Sequence, residues 1–262
     1  MRIQDFAKKK TNAVPISMVT CYDAWSAALI ADTDIDCVLV GDSVAMVVHG
    51  HDTTIPADLE MMTTHTAAVR RGAPDAFVIG DMPFLSYRRG LAASMDAAAA
   101  LMRAGANAIK LEGAPGNIEL IRHLVESGVP VMGHLGLTPQ SVHQLGGFKV
   151  QAKDGEAAER LISQATDLQQ AGCFAIVLEA IPATVAERVT ARLEIPTIGI
   201  GAGRHVDGQV LVLQDLLGVS TAYRPKFVRT WMDGSLVIRE ALQSYHLDVT
   251  AGTYPNGRES YK

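Results

Sequence analysis

The chain has 262 residues, of which 48% are apolar and 19% charged, and its net charge is −5. A chain of this size and composition buries most of its surface on folding, which excludes intrinsic disorder and small disulfide-dependent folds. The negative balance and the lack of long Lys or Arg runs argue against a nucleic-acid-binding surface. A single α/β barrel occupies about 250 residues, so we expect one domain over residues 1–262.

The cysteines and the apolar runs indicate a cellular compartment. Cys21, Cys37 and Cys173 lie far apart in apolar stretches, which predicts small buried residues rather than disulfides or a zinc site. Apolar runs such as 174–178 are far shorter than the ~20 residues of a membrane span, and residues 1–14 lack a hydrophobic signal core. We therefore expect a cytoplasmic protein.

Strands and helices alternate along the chain. An N-terminal capping helix is predicted at 3–10. Short runs rich in Val, Ile and Leu predict strands at 16–22, 36–42, 76–82, 108–113, 130–136, 174–181 and 196–201. An eighth run at 209–215 fits either a strand or a helical turn. Ala-rich segments between the strands predict helices at 24–32, 57–71, 91–105, 117–127, 156–171 and 183–193.

This alternation predicts a parallel sheet that is covered on its faces by helices. Dividing 262 residues by eight units gives about 33 residues each, which is the size of one βα unit. The predicted fold class is therefore α/β, a single-domain (β/α)8 TIM barrel, and it is favoured over an open doubly wound sheet. The polar tail after Thr250 is expected to fray or to pack on a neighbour.

The apolar runs of four predicted strands each close on a carboxylate at or within two residues of the strand end: Asp42, Asp81, Glu112 and Glu179. The C-terminal rim of such a barrel carries the active site. One of these residues alone would fit a helix N-cap, but four in equivalent places indicate function. Their mutual repulsion would require a positive partner, and Mg2+ is suited to oxygen ligands. Since Mg2+ usually takes one or two carboxylates, at least one remains for proton transfer.

Lys110 and His134 lie at neighbouring strand ends. Lys110 shares a strand face with Glu112, so its ammonium either binds a substrate carboxylate or enolate oxygen or neutralises Glu112. His134 has no second His at i+4, which favours a substrate hydrogen bond over metal ligation. His49 and His51 are expected to order the loop after the second strand.

The glycines at 199–203 match a dinucleotide-binding fingerprint only in part. The pattern G-x-G-x-x-G would require glycine at 204 or 206, where Arg204 and Val206 stand, so a Rossmann site is excluded. These glycines either let the backbone approach a ligand or relieve crowding.

The motifs together resemble the ketopantoate hydroxymethyltransferase (3-methyl-2-oxobutanoate hydroxymethyltransferase) family over about residues 16 to 230. Many separate segments in matching order carry the resemblance: VGDSVAMVVHGHDTTIP (40–56), HTAAVRRGAP (65–74), GDMPF (80–84), RAGANAIKLEG (103–113), GHLGLTPQSV (133–142), GGFKVQ (146–151), LEAIP (178–182), IGIGAG (198–203), DGQVLV (207–212) and RPKF (224–227). Ala45 and Ala152 stand where the family usually has glycine, which affects only the expected loop shape.

The resemblance implies a (β/α)8 barrel with one Mg2+ per subunit. Members of the family transfer a hydroxymethyl group from 5,10-methylenetetrahydrofolate to α-ketoisovalerate, which forms ketopantoate on the route to pantothenate and coenzyme A. They form homo-oligomers, commonly decamers.

The resemblance also implies roles for individual residues. It implies that Asp42 and Asp81 are metal ligands and that Glu112 completes the metal site directly or through water. The implied substrate-binding residues are Asp42, Ser43, Asp81, Lys110 and His134. Glu179 is the implied general acid/base, and the group that removes the C3 proton of the keto acid is left open.

Two other functions are compatible with a barrel of this kind. The first is a Mg2+-dependent carbon-carbon lyase or mutase of the isocitrate lyase and phosphoenolpyruvate mutase group. Those enzymes use a cysteine in a lyase loop, and none of the three cysteines here lies in such a motif. The second is a catalytically inactive barrel that binds a metabolite, which the complete set of rim carboxylates disfavours.

Overall fold

A computed structural model of the protein describes residues 1–220 and 225–261. Eight parallel strands in chain order form a closed barrel within these residues, which confirms the predicted (β/α)8 fold. The strands are β1 (Ile16–Thr20), β2 (Cys37–Val40), β3 (Val78–Asp81), β4 (Ala108–Lys110), β5 (Val131–Gly136), β6 (Ala175–Glu179), β7 (Thr197–Ile200) and β8 (Gly208–Leu211). Pairing of Ile16 with Gly208 and of Val19 with Leu211 joins the first strand to the last.

The predicted helices are confirmed, and their ends lie within two residues of the expected ones. The helices are α1 (Ile3–Thr11), α2 (Ala24–Ala31), α3 (Val44–Val47), α4 (Leu59–Gly72), α5 (Leu91–Arg103), α6 (Ile118–Glu126), α7 (Val142–Leu145), α8 (Gly155–Gln170), α9 (Ala183–Arg192), α10 (Leu213–Leu216) and α11 (Gly234–Ala251). Asp23, Asp58 and Asp154 begin α2, α4 and α8 by accepting hydrogen bonds from backbone N–H groups of the first turn. Local capping chemistry thus sets where these helices start.

Most strands are shorter than predicted at their carboxyl ends. Met82 and Leu111 continue the apolar runs of β3 and β4 and are fully buried, but both lie just outside the ladder. The eighth strand needs the largest correction, because only 208–211 form a strand and Leu213 begins α10. The register of β8 with β1 ends at the pair Val19 and Leu211, and the chain then enters α10 at Leu213.

The N-terminal helix α1 covers the bottom of the barrel, as predicted. Phe6 is fully buried, and its ring lies 5.2 Å from the ring of Phe77 and 4.9 Å from that of Phe174. These rings join a core of strand residues that includes Ile79 and Met132. An apolar plug therefore fills the N-terminal end of the barrel and leaves the opposite rim for chemistry.

The three cysteines are free and buried, in agreement with the prediction of small core residues. None of the helices in residues 1–220 and 225–261 combines the length and apolar composition that crossing a membrane requires.

The chain divides into two compact units, Met1–Val212 and Leu213–Lys262. The first holds the barrel, and the second holds α10 and α11. The expectation of one domain over residues 1–262 stays a prediction. Helix α11 was not predicted, and it ends at Ala251, before the left-handed Gly252. The expectation that the tail after Thr250 frays or packs on a neighbour stays a prediction. Arg224 of the RPKF motif lies outside the described residues.

Candidate active site

The carboxyl ends of the strands bring the predicted residues together at one rim of the barrel. Asp81, Lys110 and Glu179 are the last residues of β3, β4 and β6. Asp42 and Glu112 follow β2 and β4 by two residues. Asp81 and Lys110 also occupy paired positions on neighbouring strands. The parallel barrel therefore converts motifs that are far apart in the chain into one buried cluster.

Lys110 forms the central ion pair of this cluster. Its side chain is buried, and Nζ lies 2.8 Å from Asp81 Oδ1 and 3.4 Å from His134 Nδ1. Burial lowers the pKa of Lys110, but the carboxylates of Asp81, Glu112 and Asp42 outweigh burial and hold that pKa above its ordinary value. The ammonium is paired with Asp81 rather than with Glu112, because Asp81 is its neighbour in the register.

His134 connects two carboxylates. Its Nδ1 lies 3.4 Å from Glu112 Oε1, and its Nε2 lies 3.2 Å from Glu179 Oε2. Burial and the nearby Lys110 ammonium lower the pKa of His134, but Glu112 and Glu179 outweigh both and raise it to about 9. The raised pKa favours the protonated ring, which can donate hydrogen bonds but cannot ligate a metal.

Asp42 is the carboxylate of the cluster whose negative charge is least neutralised by nearby cationic side chains. Burial raises the pKa of Asp42 well above its usual range, and the neighbouring Asp81 and Glu112 raise it further. Its backbone N–H donates to Asp81 Oδ2 over 3.2 Å. Within residues 1–220 and 225–261, the ion pairs of the cluster involve Asp81, Glu112 and Glu179 but not Asp42.

The donor set of the cluster fits a hard divalent cation. Asp81 Oδ1 lies 2.8 Å from the Lys110 ammonium and Glu112 Oε1 lies 3.4 Å from His134 Nδ1, whereas Asp42 forms no ion pair with the described residues. A buried carboxylate such as Asp42 is costly to ionise unless a cation neutralises it. The described part of the chain contains no group of three or more His, Cys, Asp or Glu side chains arranged around a metal position. Mg2+ needs fewer protein ligands, because one or two carboxylates suffice when water and substrate complete its shell.

Ser43 lies at the start of α3, directly after Asp42. Its Oγ lies 2.8 Å from the hydroxyl of Tyr22, which follows β1 and is buried. Burial raises the pKa of Tyr22, so the phenol stays protonated. Sequence reasoning missed Tyr22, although an aromatic residue with a polar tip just after an apolar strand is a recognisable signal.

Gln140 is a second residue that the sequence did not single out. It lies in a 3-10 turn, Pro139–Ser141, after β5, and it is 4% exposed. Its side chain contacts Asp42, Met82 and Tyr87, and its backbone N–H contacts Glu112. A lone glutamine in a loop carries no chemical pattern in the sequence, so only the folded contacts identify it.

Two glycines shape the rim. Gly136 ends β5 with a φ of +94°, and a Cβ there would lie 2.2 Å from the backbone oxygen of Glu179. Gly203 has a φ of +80°, and its Cβ would lie 2.4 Å from that of Ala183. The glycine at 203 thus relieves crowding, which was one of the two expectations for the 199–203 segment.

The alanines at the two usual glycine positions differ in conformation. Ala45 lies in α3 and is buried, and its φ is not positive. Ala152 has a φ of +52°, the left-handed region that glycine adopts at low cost.

His49 and His51 were expected to order the loop after β2, and a contact of His49 supports this in part. His49 Nε2 lies 2.9 Å from His65 Nε2, which connects the loop to α4.

Comparison with solved structures defines the class of fold. The structure of 2,3-dimethylmalate lyase, a PEP mutase/isocitrate lyase superfamily member, matches with a TM-score of 0.63 and 16% identity over 99% of this chain and 91% of that one. Phosphonopyruvate hydrolase, solved in complex with oxalate and Mg2+, matches with a TM-score of 0.63 and 10% identity over 99% and 93% of the two chains. The chain is thus a TIM barrel whose fold resembles theirs.

Sequence comparison then gives the family. The model of the ketopantoate hydroxymethyltransferase family matches residues 1–257, and this chain belongs to that family. The 3-methyl-2-oxobutanoate hydroxymethyltransferase of Bdellovibrio bacteriovorus is 58% identical over 99% of this chain and 98% of its own. The protein of the same name from Coxiella burnetii is 54% identical over 98% and 97%.

Proposed function

We propose that this protein transfers a hydroxymethyl group from 5,10-methylenetetrahydrofolate to α-ketoisovalerate and so forms ketopantoate for pantothenate and coenzyme A biosynthesis. In the balanced reaction, C3 of the keto acid loses a proton and forms a bond to the folate methylene carbon. Water supplies the hydroxyl oxygen, and tetrahydrofolate leaves. The observation that carries the proposal is the buried cluster of Asp42, Asp81, Glu112 and Lys110 at the barrel rim.

Asp42 and Asp81 would hold one Mg2+, and Glu112 would complete its site directly or through water. This assignment is supported by the close grouping of three buried carboxylates, of which Asp42 has no cationic partner among the described residues, and by the raised pKa of Asp42, which burial and its acidic neighbours produce. A bound Mg2+ supplies Lewis-acid polarisation of a keto oxygen and stabilises negative charge that develops there.

Lys110 and Ser43 are proposed to bind the keto acid. The buried ammonium of Lys110 presents positive charge where an enolate oxygen or a carboxylate needs it. The hydroxyl of Ser43 is held by Tyr22 and can donate to a substrate oxygen.

Glu179 is proposed as the general acid/base, with His134 as a further substrate contact. The side chain of Glu179 is 18% exposed, so it can exchange protons with a molecule in the barrel mouth. His134 Nε2 lies 3.2 Å from Glu179 Oε2. The acceptor of the C3 proton stays unassigned.

The proposal also places the enzyme in the cytoplasm, acting on small molecules as a homo-oligomer, with the decamer as the form that the family resemblance implies. The lyase or mutase alternative shares only the fold with this chain, since the matching structures of that group are 9% to 17% identical to it. The relatives at 54% to 58% identity carry the transferase name.

Proton NMR of α-ketoisovalerate in D2O tests the proposal, with and without Mg2+ and with and without methylenetetrahydrofolate. We expect Mg2+-dependent loss of the C3 proton signal in the absence of folate, and ketopantoate signals when folate is added. If neither exchange nor product forms with both present, the transferase function is wrong. Cleavage of a malate-type substrate by the same sample would then favour the lyase alternative.

A further inference from the structure

Gln140 connects three parts of the site that come from different strands. Its Nε2 lies 2.9 Å from Asp42 Oδ2 and 2.9 Å from the backbone oxygen of Met82. Its Oε1 accepts a hydrogen bond from the Tyr87 hydroxyl over 2.7 Å. Both hydrogens of the amide and its oxygen are therefore used, in a position closed to solvent.

These contacts fix which way the amide faces. The Met82 carbonyl can only accept, so the amide nitrogen rather than its oxygen must face it. The Tyr87 hydroxyl satisfies the amide oxygen on the other side. The second N–H is thereby directed at Asp42 Oδ2, and a flipped amide would place two acceptors against each other at Met82.

Because the Gln140 amide is neutral, it donates a hydrogen bond to Asp42 without neutralising the carboxylate. Asp81 has the Lys110 ammonium beside it, and Glu112 and Glu179 have the His134 ring. The side chain hydrogen-bonded to Asp42 is the uncharged Gln140. A Lys or Arg at position 140 would neutralise Asp42 and compete with a cation, whereas an amide orients the carboxylate and leaves its charge in place.

We propose that Gln140, held by Tyr87, is a positioning residue that orients the Asp42 carboxylate for the divalent cation. It occupies Oδ2 and leaves Oδ1 available. This inference rests on the proposed function, because it concerns the same metal site. Groups that hydrogen-bond to metal ligands set ligand orientation, and their loss typically weakens metal binding by about 10- to 100-fold.

Calorimetric titration of the substrate-free protein with Mg2+ tests the inference. We expect Gln140→Met, which keeps the side-chain length, to raise the Mg2+ dissociation constant by about 10- to 100-fold. The backbone N–H of Gln140 still donates to Glu112 Oε2, so that contact is kept. The matched control is Gln144→Met in α7, where the side chain is exposed and the constant should not change. Folded Gln140→Met that binds Mg2+ within twofold of the wild type would overturn the inference.

Tyr87→Phe keeps the inference testable if Gln140→Met fails to fold. It removes one hydroxyl and retains the ring, and we expect about fivefold weaker Mg2+ binding, the effect of losing about one hydrogen bond. An unchanged constant for Tyr87→Phe overturns the positioning role. A purely structural role would lower the thermal midpoint in EDTA and leave the Mg2+ constant unchanged. Absence of Mg2+ binding by the wild type would instead count against the proposed metal site itself.

Discussion

Asp81 and Glu179 both end a strand, yet their side chains are 1% and 18% exposed. Asp81 is fixed by the Lys110 ammonium and by the backbone N–H of Asp42. Glu179 contacts His134 and reaches the barrel mouth. A buried, fixed carboxylate suits a metal ligand, whereas a carboxylate that meets solvent suits proton exchange. The difference in exposure supports separate roles for two residues that look alike in the sequence.

Asp81→Asn should weaken Mg2+ binding by more than about a hundredfold, because changes outside the ligand set already cost about 10- to 100-fold. The amide keeps the size of the side chain but loses its negative charge. Isothermal titration calorimetry measures the effect. Asp34→Asn, at an exposed carboxylate, is the control and should bind as the wild type does. Equal affinity of Asp81→Asn and the control would remove Asp81 from the metal site.

Glu179→Gln should keep the binding of Mg2+ and α-ketoisovalerate and lower the turnover number by about 10²- to 10⁴-fold, the usual contribution of a general acid/base. The amide fills the same space but cannot exchange a proton. Steady-state kinetics and calorimetry measure the two effects separately. Glu187→Gln, at an exposed position of α9, should have normal turnover. A turnover number of Glu179→Gln near that of the wild type contradicts the catalytic role.

Helix α1 is attached to the barrel by two consecutive lysines. Lys9 Nζ lies 2.6 Å from Asp36, and Lys10 Nζ lies 2.7 Å from Asp207. Each aspartate precedes a strand and also accepts a backbone N–H from the neighbouring strand, Asp36 from Ser17 and Asp207 from Thr197. The same carboxylates therefore hold the helix and align the strand starts.

Lys9→Met should destabilise the protein by about 1 kcal/mol at pH 7, the upper end for a solvent-accessible ion pair, and by less at low pH. Burial raises the pKa of Asp36, but Lys9 and the Ser17 backbone outweigh burial and lower it. A folded pKa below the unfolded one gives stability that is present above the unfolded pKa and lost as pH falls through the folded pKa.

Urea denaturation of wild type and Lys9→Met at pH 7 and pH 3 measures this effect. Lys8→Met is the control, because the Lys8 side chain is 71% exposed and its pair with Asp5 is weak. A destabilisation by Lys9→Met that is equal at both pH values would show that the ion pair does not contribute.

Elements with a strong apolar period could be predicted, and those without one could not. Helices α4, α5 and α8 carry regular buried positions and clear ends, so their bounds were close. Helix α11 has one fully buried residue, Gly234, and no amphipathic stripe marks it. Its termini do carry signals, since Asp233 accepts from the Leu236 N–H and Gly252 ends the helix.

Large apolar side chains are exposed on the surface of the protein. Trp25 and Leu29 lie one turn apart on α2 and are 67% and 61% exposed. Contiguous apolar surface of this kind commonly marks an interface. We expect light scattering to give the mass of an assembly of two or more 27.9 kDa subunits. A mass of 27.9 kDa at micromolar concentration would contradict the predicted homo-oligomer.

Apolar periodicity was sufficient for the barrel and for the strand-end carboxylates, because a parallel strand's burial and direction are local properties that the chain order repeats. The side-chain contacts within the site could not be predicted from this periodicity. Lys110 pairs with Asp81 across the register, and Gln140 reaches Asp42 across 98 positions of the chain. Such contacts depend on barrel closure and side-chain packing between distant segments, and these exist only in the folded protein.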